Sequence, residues 1–293
     1  MPVVKVERPA MGSVFQIFLE GDNCNTLERL GYEALDRVGW LEQQLSHYLP
    51  SSDISQINCL ASKESVPLAP NVTALLARCR NWSAETNNAF DITAGKLVRL
   101  WGFFKQGVAE EDAVAFPDAD DLAKIVQNIG WRCVELDEKN QTIRFHSPEI
   151  ELHLGAVGKG YIVQAVADYL QEKGVVRALL HSGHSSIVAV GAPSNAEGWQ
   201  IAFEGEPFFL KNAALSVSSN DETTITLNGK RYGHLFDPRT GLPLESFGQI
   251  AVIAPDATDA EALSTAIAVN GREWTQDYLG THPEFSAMFA SEH

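Results

Sequence analysis

Cysteine is scarce in this chain and scattered. Cys24, Cys59, Cys79 and Cys133 lie far apart with no C-x-x-C pair, which excludes a zinc knuckle and a disulfide framework and leaves buried free thiols. Positive charge is short as well: 22 Lys and Arg stand against 38 Asp and Glu, a formal net charge of −16 with His neutral. Without a basic cluster such a chain is repelled by phosphate backbones and anionic lipid, so nucleic acid is not an expected partner. No apolar run approaches the roughly 20 residues of a membrane helix, so no transmembrane segment is expected. The opening MPVVKVERPAMG has one early lysine, no apolar h-region and no cleavage site. A cytoplasmic protein is the simplest expectation, and an exported chain trimmed of its signal would read the same. What remains is 293 residues, 45% hydrophobic, enough to bury a core and suited to an enzyme or a small-molecule binder.

Short strand-like runs occupy both ends and helical patterns sit between them. Residues 3–7 and 13–19 read as a hairpin with Pro9 and Gly12 in its turn. Leu27, Leu30, Ala34, Leu35, Val38, Leu41 and Leu45 recur at three and four, predicting a helix from about Thr26 to Leu45. Further helices are expected over 71–84, 118–129 with Gly130 as a left-handed cap, 160 to before Gly174, and 259–269 with Asn270-Gly271 as the stop. The polar stretch 104–117 reads as an exposed loop, and 133–152 as a hairpin around DEKNQ. Strands are expected at 176–181, 187–190, 199–203, 213–217, 224–227 and 249–253. Strands before and after a group of helices argue for an α+β layered fold over regular βαβ alternation, with residues 1–293 as one unit.

Four segments carry chemistry. In AFDITAGKLVRLWGF (89–103) an Asp stands between two apolar residues ahead of Thr93 and Gly95; an Asx turn or helix cap would explain it equally. In LHLGAVGKGYIVQAVADYL (152–170) Gly155, Gly158 and Gly160 sit with Lys159 between a strand and a helix, where freed amides and a compact cation suit a phosphate. The spacing is neither the dinucleotide fingerprint nor the mononucleotide P-loop, and a glycine-permitted turn accounts for it too. YGHLFDPRTGLPLE (232–245) contains a turn at Asp237-Pro238 and Thr240-Gly241, with His234 near a strand end where a proton-transfer group meets a ligand. In DATDAEALSTAIAVNG (256–271), Glu261, Ser264 and Thr265 fall at i, i+3 and i+4, one helical face of oxygens suited to magnesium. Acidic residues near a helix start are also favoured by its dipole.

Taken together and in order, these segments resemble the ApbE family of FAD:protein FMN transferases. The likeness extends from MGSVFQIFL (11–19) through SHYLPSSDISQIN (46–58) to AEALSTA (260–266), and is most specific in the pair AFDIT and HLFDPRTGLP. The resemblance implies layered antiparallel sheets with flanking helices, a T-fold-like α+β domain. It further implies magnesium-dependent transfer of FMN from FAD to a Thr or Ser hydroxyl of a target flavoprotein, releasing AMP. Carried over by motif, Met11, Tyr48, Ala89, Phe90, Asp91, His153, Lys159 and Phe236 would contact FAD. Magnesium would take the Ala156 carbonyl and the side chains of Glu261, Ser264 and Thr265, and His234 would be the base.

The chain departs from the family pattern at four places. His153 stands where the family usually has Asp, and Glu261 where the helical metal site opens with Asp. Ser185-Ser186 occupy the strand end that is normally Gly-Gly-Asp. Val217 and Ser219 fall where Thr and Gly are usual. Two other readings follow: an FAD-binding protein without transferase activity, and a metal-dependent hydrolase (an FAD pyrophosphatase) with His153, His181 and His184 converging at neighbouring strand ends.

Overall fold

In the computed structural model, residues 1–103, 116–183, 185–220, 224–227, 230–245 and 247–290 are described; the expected loop over 104–117 falls almost wholly outside them, as does His184. The frame is a seven-stranded sheet, ordered Val3–Ala10, Ser13–Glu20, Ala178–Ser182, Ser186–Val190, Ala213–Ser219, Gln249–Ala254 and Ser286–Phe289. Every adjacent pair is antiparallel. The helices are α1 (Cys24–Leu45), α2 (Asp53–Leu60), α3 (Pro70–Glu85), α4 (Gly95–Leu100), α5 (Ala119–Asn128), α6 (Gly158–Glu172) and α7 (Ala257–Thr281). Three small sheets are appended: Thr224–Leu227 with Lys230–Asp237 and Leu242–Glu245, Val66–Pro67 with Thr142–Phe145 and Val134–Asp137, and the hairpin Trp199–Phe203 with Glu206–Leu210.

Strand periodicity explains how the sheet is covered on both faces. Val188, Val190, Ala214, Ile250 and Val252 belong to the main core, where α1, α6 and α7 pack. Their alternating neighbours Ile187, Ala189, Leu215 and Ala251 join Trp199, Phe203 and Leu210 in a second cluster, so the hairpin 199–210 roofs the opposite face. Side chains of a strand point alternately to its two faces, and Ser186–Val190 is buried at every position because both are occupied. The expected stripe of α1 is buried throughout, and Asn23 caps the helix by accepting from the Thr26 amide at 3.1 Å.

Several boundaries differ from expectation for local reasons. The first strand runs through Pro9 to Ala10; as an edge strand it tolerates a missing donor. The turn is instead Met11-Gly12, with φ of 52° and 66°, the left-handed pair that a two-residue hairpin requires. Gly130 has φ 97° and ψ 159°, a mirror-extended conformation and not the expected left-handed helix cap. Gly271 does interrupt its helix at φ 80°, yet the chain resumes helical structure to Thr281. The short helices α2 and α4 and the strands Glu206–Leu210 and Ser286–Phe289 have no sequence-predicted counterpart. No helix among the described residues is long and apolar enough to cross a membrane.

Candidate active site

The segment 91–95 and the glycine segment are laid side by side by backbone bonds. Gly95 N–H donates to the Glu151 carbonyl at 2.8 Å and His153 N–H to the Ile92 carbonyl at 2.8 Å. A Cβ on Gly95 would lie 2.6 Å from the Glu151 oxygen, so glycine is what permits the approach. Asp91 accepts the Thr93 amide at 2.8 Å, the Asx turn anticipated for it. The Thr93 hydroxyl in turn accepts Gly130 N–H at 2.9 Å. Trp101, fully buried, donates its indole N–H to the Gly241 carbonyl at 2.9 Å. That bond ties α4 to the Asp-Pro turn, and Phe236 packs edge-on against Phe103 with ring centroids 5.4 Å apart.

On the other wall, α7 is anchored by its acidic start. Asp256 caps the helix through the Thr258 amide at 2.7 Å, and Arg78 binds both Asp256 and Asp259 at 2.8 and 2.7 Å. Those two carboxylates are spent on the helix end, as the dipole argument anticipates. Glu261 is different. It is buried, accepts from the Ser186 hydroxyl, and keeps Oε2 without a hydrogen-bond partner among the described residues. Burial raises its pKa, opposed by the nearby Lys159 ammonium, the Ser186 hydroxyl and the Gly160 amide. Ser264 bonds Ser216 at 3.1 Å and Ser218 at 2.8 Å, two hydroxyls presented on one side of a strand by its period of two.

The walls enclose a cleft of about 720 Å³, within the range of small-molecule sites. Met11, Tyr48, Ala89, Phe90, Asp91, His153, Ala156, Lys159, His234, Phe236, Glu261, Ser264 and Thr265 all line it. Every residue carried over by motif is thus brought to one place, from segments up to 254 positions apart (Met11 to Thr265).

Its electrostatics are uneven. Burial pushes Asp91 up to about 6 against an ordinary 3.8, with the Thr93 hydrogen bonds opposing. The opposite corner holds imidazoles: His47 lies tilted against Tyr48 at 4.0 Å and against His153 at 3.9 Å between ring centroids. Burial, then the Arg99 charge, lowers His47 to about 4. His153 falls well below the usual histidine range through burial first, then the neighbouring His47 and His234. Lys159 donates to the Ser185 hydroxyl at 2.8 Å, setting a cation beside the serine-rich strand ends.

Comparison with known proteins decides what this cleft belongs to. The ApbE family profile matches residues 11–289. The chain belongs to the ApbE family. It is 26% identical over 297 residues to the FAD:protein FMN transferase of Escherichia coli K12, covering 94% of this chain and 81% of that protein. It is 28% identical over 278 residues to a Klebsiella pneumoniae protein of the same name, covering 90% and 83%. Among solved structures it resembles the apo flavinyl transferase ApbE of Pseudomonas stutzeri, with TM-score 0.86, 27% identity and coverage of 100% and 92%. The ApbE protein of Thermotoga maritima shares the fold, with TM-score 0.86 over 98% and 94% of the chains at 22% identity.

Glu261 reaches Ser186, and His153 lies on His47. Of the histidine-metal trio, His184 lies outside the described residues, and the neighbours of His153 are His47 and His234. His181 sets Nδ1 against the Gly183 carbonyl and stacks on Phe18. Among the described residues no group of three or more His, Cys, Asp or Glu is arranged to hold a metal. For magnesium the donor set is one carboxylate with hydroxyls and carbonyl oxygen. That oxygen-only chemistry and the orphaned Glu261 Oε2 fit a hard dication. Sequence reasoning missed His47, Ser216 and Ser218. The adjacency of His47 to Tyr48, and the i, i+2 serines of LSVSS, were the available signals.

Proposed function

We propose that this protein transfers the FMN moiety of FAD to a Thr or Ser hydroxyl of an acceptor flavoprotein, with magnesium and with release of AMP. The observation that carries the reading is the convergence of the thirteen motif residues on one cleft, in a chain of a family whose similar members are named for this activity. In the reaction the acceptor hydroxyl oxygen attacks the phosphorus on the FMN side. A new P–O ester bond forms, and the bond to the bridging oxygen breaks and leaves that electron pair with AMP. His234 is the residue to accept the hydroxyl proton. Lys159 and the Ser185 hydroxyl offer positive charge and a donor to the pyrophosphate. Asp91, with Oδ1 occupied by the Thr93 amide, offers its other oxygen to the nucleotide. The Ala156 carbonyl with Glu261, Ser264 and Thr265 would hold magnesium. When bound, that ion neutralises charge building on the pyrophosphate.

Incubation with FAD and magnesium, with and without a Thr-bearing acceptor peptide, tests this. AMP release coupled to flavin-labelled peptide is the expected result. AMP without labelling across acceptor peptides indicates a pyrophosphatase, and tight FAD binding with no AMP indicates a carrier; either overturns the transferase reading.

A further inference from the structure

We infer that Asn220 is a positioning residue for His234, its buried carboxamide propping open the bulge that turns the histidine into the cleft. The inference rests on the reading of His234 as proton acceptor. It begins with a loss of register. Tyr232 pairs with Glu245 and Phe236 with Pro243, so Gly233, His234 and Leu235 together face Leu244 alone. Such an excess bends the bulged strand and leaves ladder groups unpaired, and buried backbone groups need other partners.

Asn220 supplies them from the end of the strand Ala213–Ser219. It is fully buried. Its Oδ1 accepts the Leu235 N–H at 3.1 Å, and its Nδ2 donates to the carbonyls of Leu244 at 3.0 Å and Glu245 at 3.3 Å. One side chain therefore joins both strands of the bulge. On the other side of His234, a Cβ on Gly233 would fall 1.8 Å from Asn220 Oδ1 and 2.3 Å from the Asn220 carbonyl oxygen. Only glycine lets the amide lie this close, so His234 is flanked on both sides by contacts to Asn220. A carboxamide is also the group the geometry requires, because it must accept from one strand and donate to the other. Aspartate keeps the acceptor and the shape, and sets an anion against two carbonyls. The strand Ala213–Ser219, which Asn220 directly follows, carries Ser216 and Ser218, so the same anchor fixes His234 relative to the serine wall.

The test uses the full chain with Asn220→Asp and Asn220→Ala, each alone and combined with His234→Ala. Three quantities are read: AMP release coupled to labelling of a Thr-bearing acceptor peptide, with magnesium and across FAD concentrations, the histidine ring resonances by NMR, and the thermal midpoint. The His234 resonance is identified by its disappearance in His234→Ala. Asn220→Asp is expected to lower kcat about 100-fold, the scale of a misplacement near 1 Å, while KM stays within about twofold. The His234 resonance is expected to move while those of other histidines stay. In the His234→Ala background the same change is expected to cost less than about twofold, since the two residues act through one group. Equal losses in both backgrounds, or an unmoved His234 resonance, would overturn the inference. Should Asn220→Ala unfold, Asn220→Asp carries the comparison. If His234→Ala retains full turnover, the reading of His234 as base fails, and the resonance still decides the role of Asn220.

Discussion

The approach of α6 to α7 can be tested at one atom. A Cβ on Gly160 would lie 2.4 Å from the Ala257 carbonyl oxygen, 2.9 Å from its carbon and 2.9 Å from Glu261 Cδ. The first two are backbone atoms that no rotamer change can move, so Gly160→Ala forces the helices apart. Overpacking of this kind costs about 1–3 kcal/mol. Alanine recovers up to about 1 kcal/mol of helix propensity, and less in a first turn, leaving a net loss of about 1–2 kcal/mol. For a chain of this size that is a melting midpoint lower by about 2–6 °C. Gly280, in the same helix α7, has no atom within 4 Å of its Cβ position. Gly280→Ala is therefore a control in which propensity acts alone and should raise the midpoint slightly. Thermal denaturation of both variants by circular dichroism gives the comparison. If Gly160→Ala melts at or above the parent, the close approach does not constrain the helices and the steric argument is refuted.

Two further outcomes follow from charges in the cleft. Asp91, held near 6 in the fold against an ordinary 3.8, binds its proton more tightly folded than unfolded. Its contribution is then fully present below about pH 4 and lost as pH rises through 6. Asp91→Asn keeps an acceptor for Thr93, so at pH 7 it should stabilise the unliganded protein by less than about 3 kcal/mol, discounted for partial exposure, with no gain at pH 4, and should weaken FAD binding; unchanged midpoints at both pH values would refute the burial account. Magnesium with FAD should raise the thermal midpoint, and Glu261→Gln should remove most of that rise because an amide lacks the carboxylate's charge, whereas Glu261→Asp should retain it; a magnesium response unaffected by Glu261→Gln removes Glu261 from the metal site.

Periodicity made the long elements legible. The stripe of α1 and the apolar run in Ser186–Val190, buried on both faces, are direct imprints of what each residue is buried against. Short elements were not legible, because eight residues such as Asp53–Leu60 carry too few turns to show a stripe. The resumption of α7 after Gly271 has the same origin: a glycine at positive φ reads as an end, and only packing beyond it shows that the chain continues. The site was legible through its motifs and not through its spacing. Nothing in the sequence places Asn220 against Leu235 or His47 against His153, because those contacts are made by the fold.

The same difference governs how the departures from the family pattern should be weighed. Read singly, a lost carboxylate at 153 and a lengthened one at 261 look like damage to a metal and nucleotide site. In the fold each has an answering residue. Glu261 ends on the Ser186 hydroxyl, at a strand end where the resemblance to the family implies an aspartate. The imidazole of His153 is covered by the imidazole of His47, and burial keeps both neutral near pH 7. An uncompensated buried change would cost several kcal/mol by leaving a polar group or a charge without a partner. The Ser186 hydroxyl answers one Glu261 oxygen and leaves Oε2 open, so burial of the carboxylate is only partly offset, with the Lys159 charge nearby opposing it. The departures are therefore to be weighed by what each side chain touches, and the magnesium response of Glu261→Gln against Glu261→Asp decides whether the carboxylate at 261 serves a metal or only the Ser186 hydroxyl.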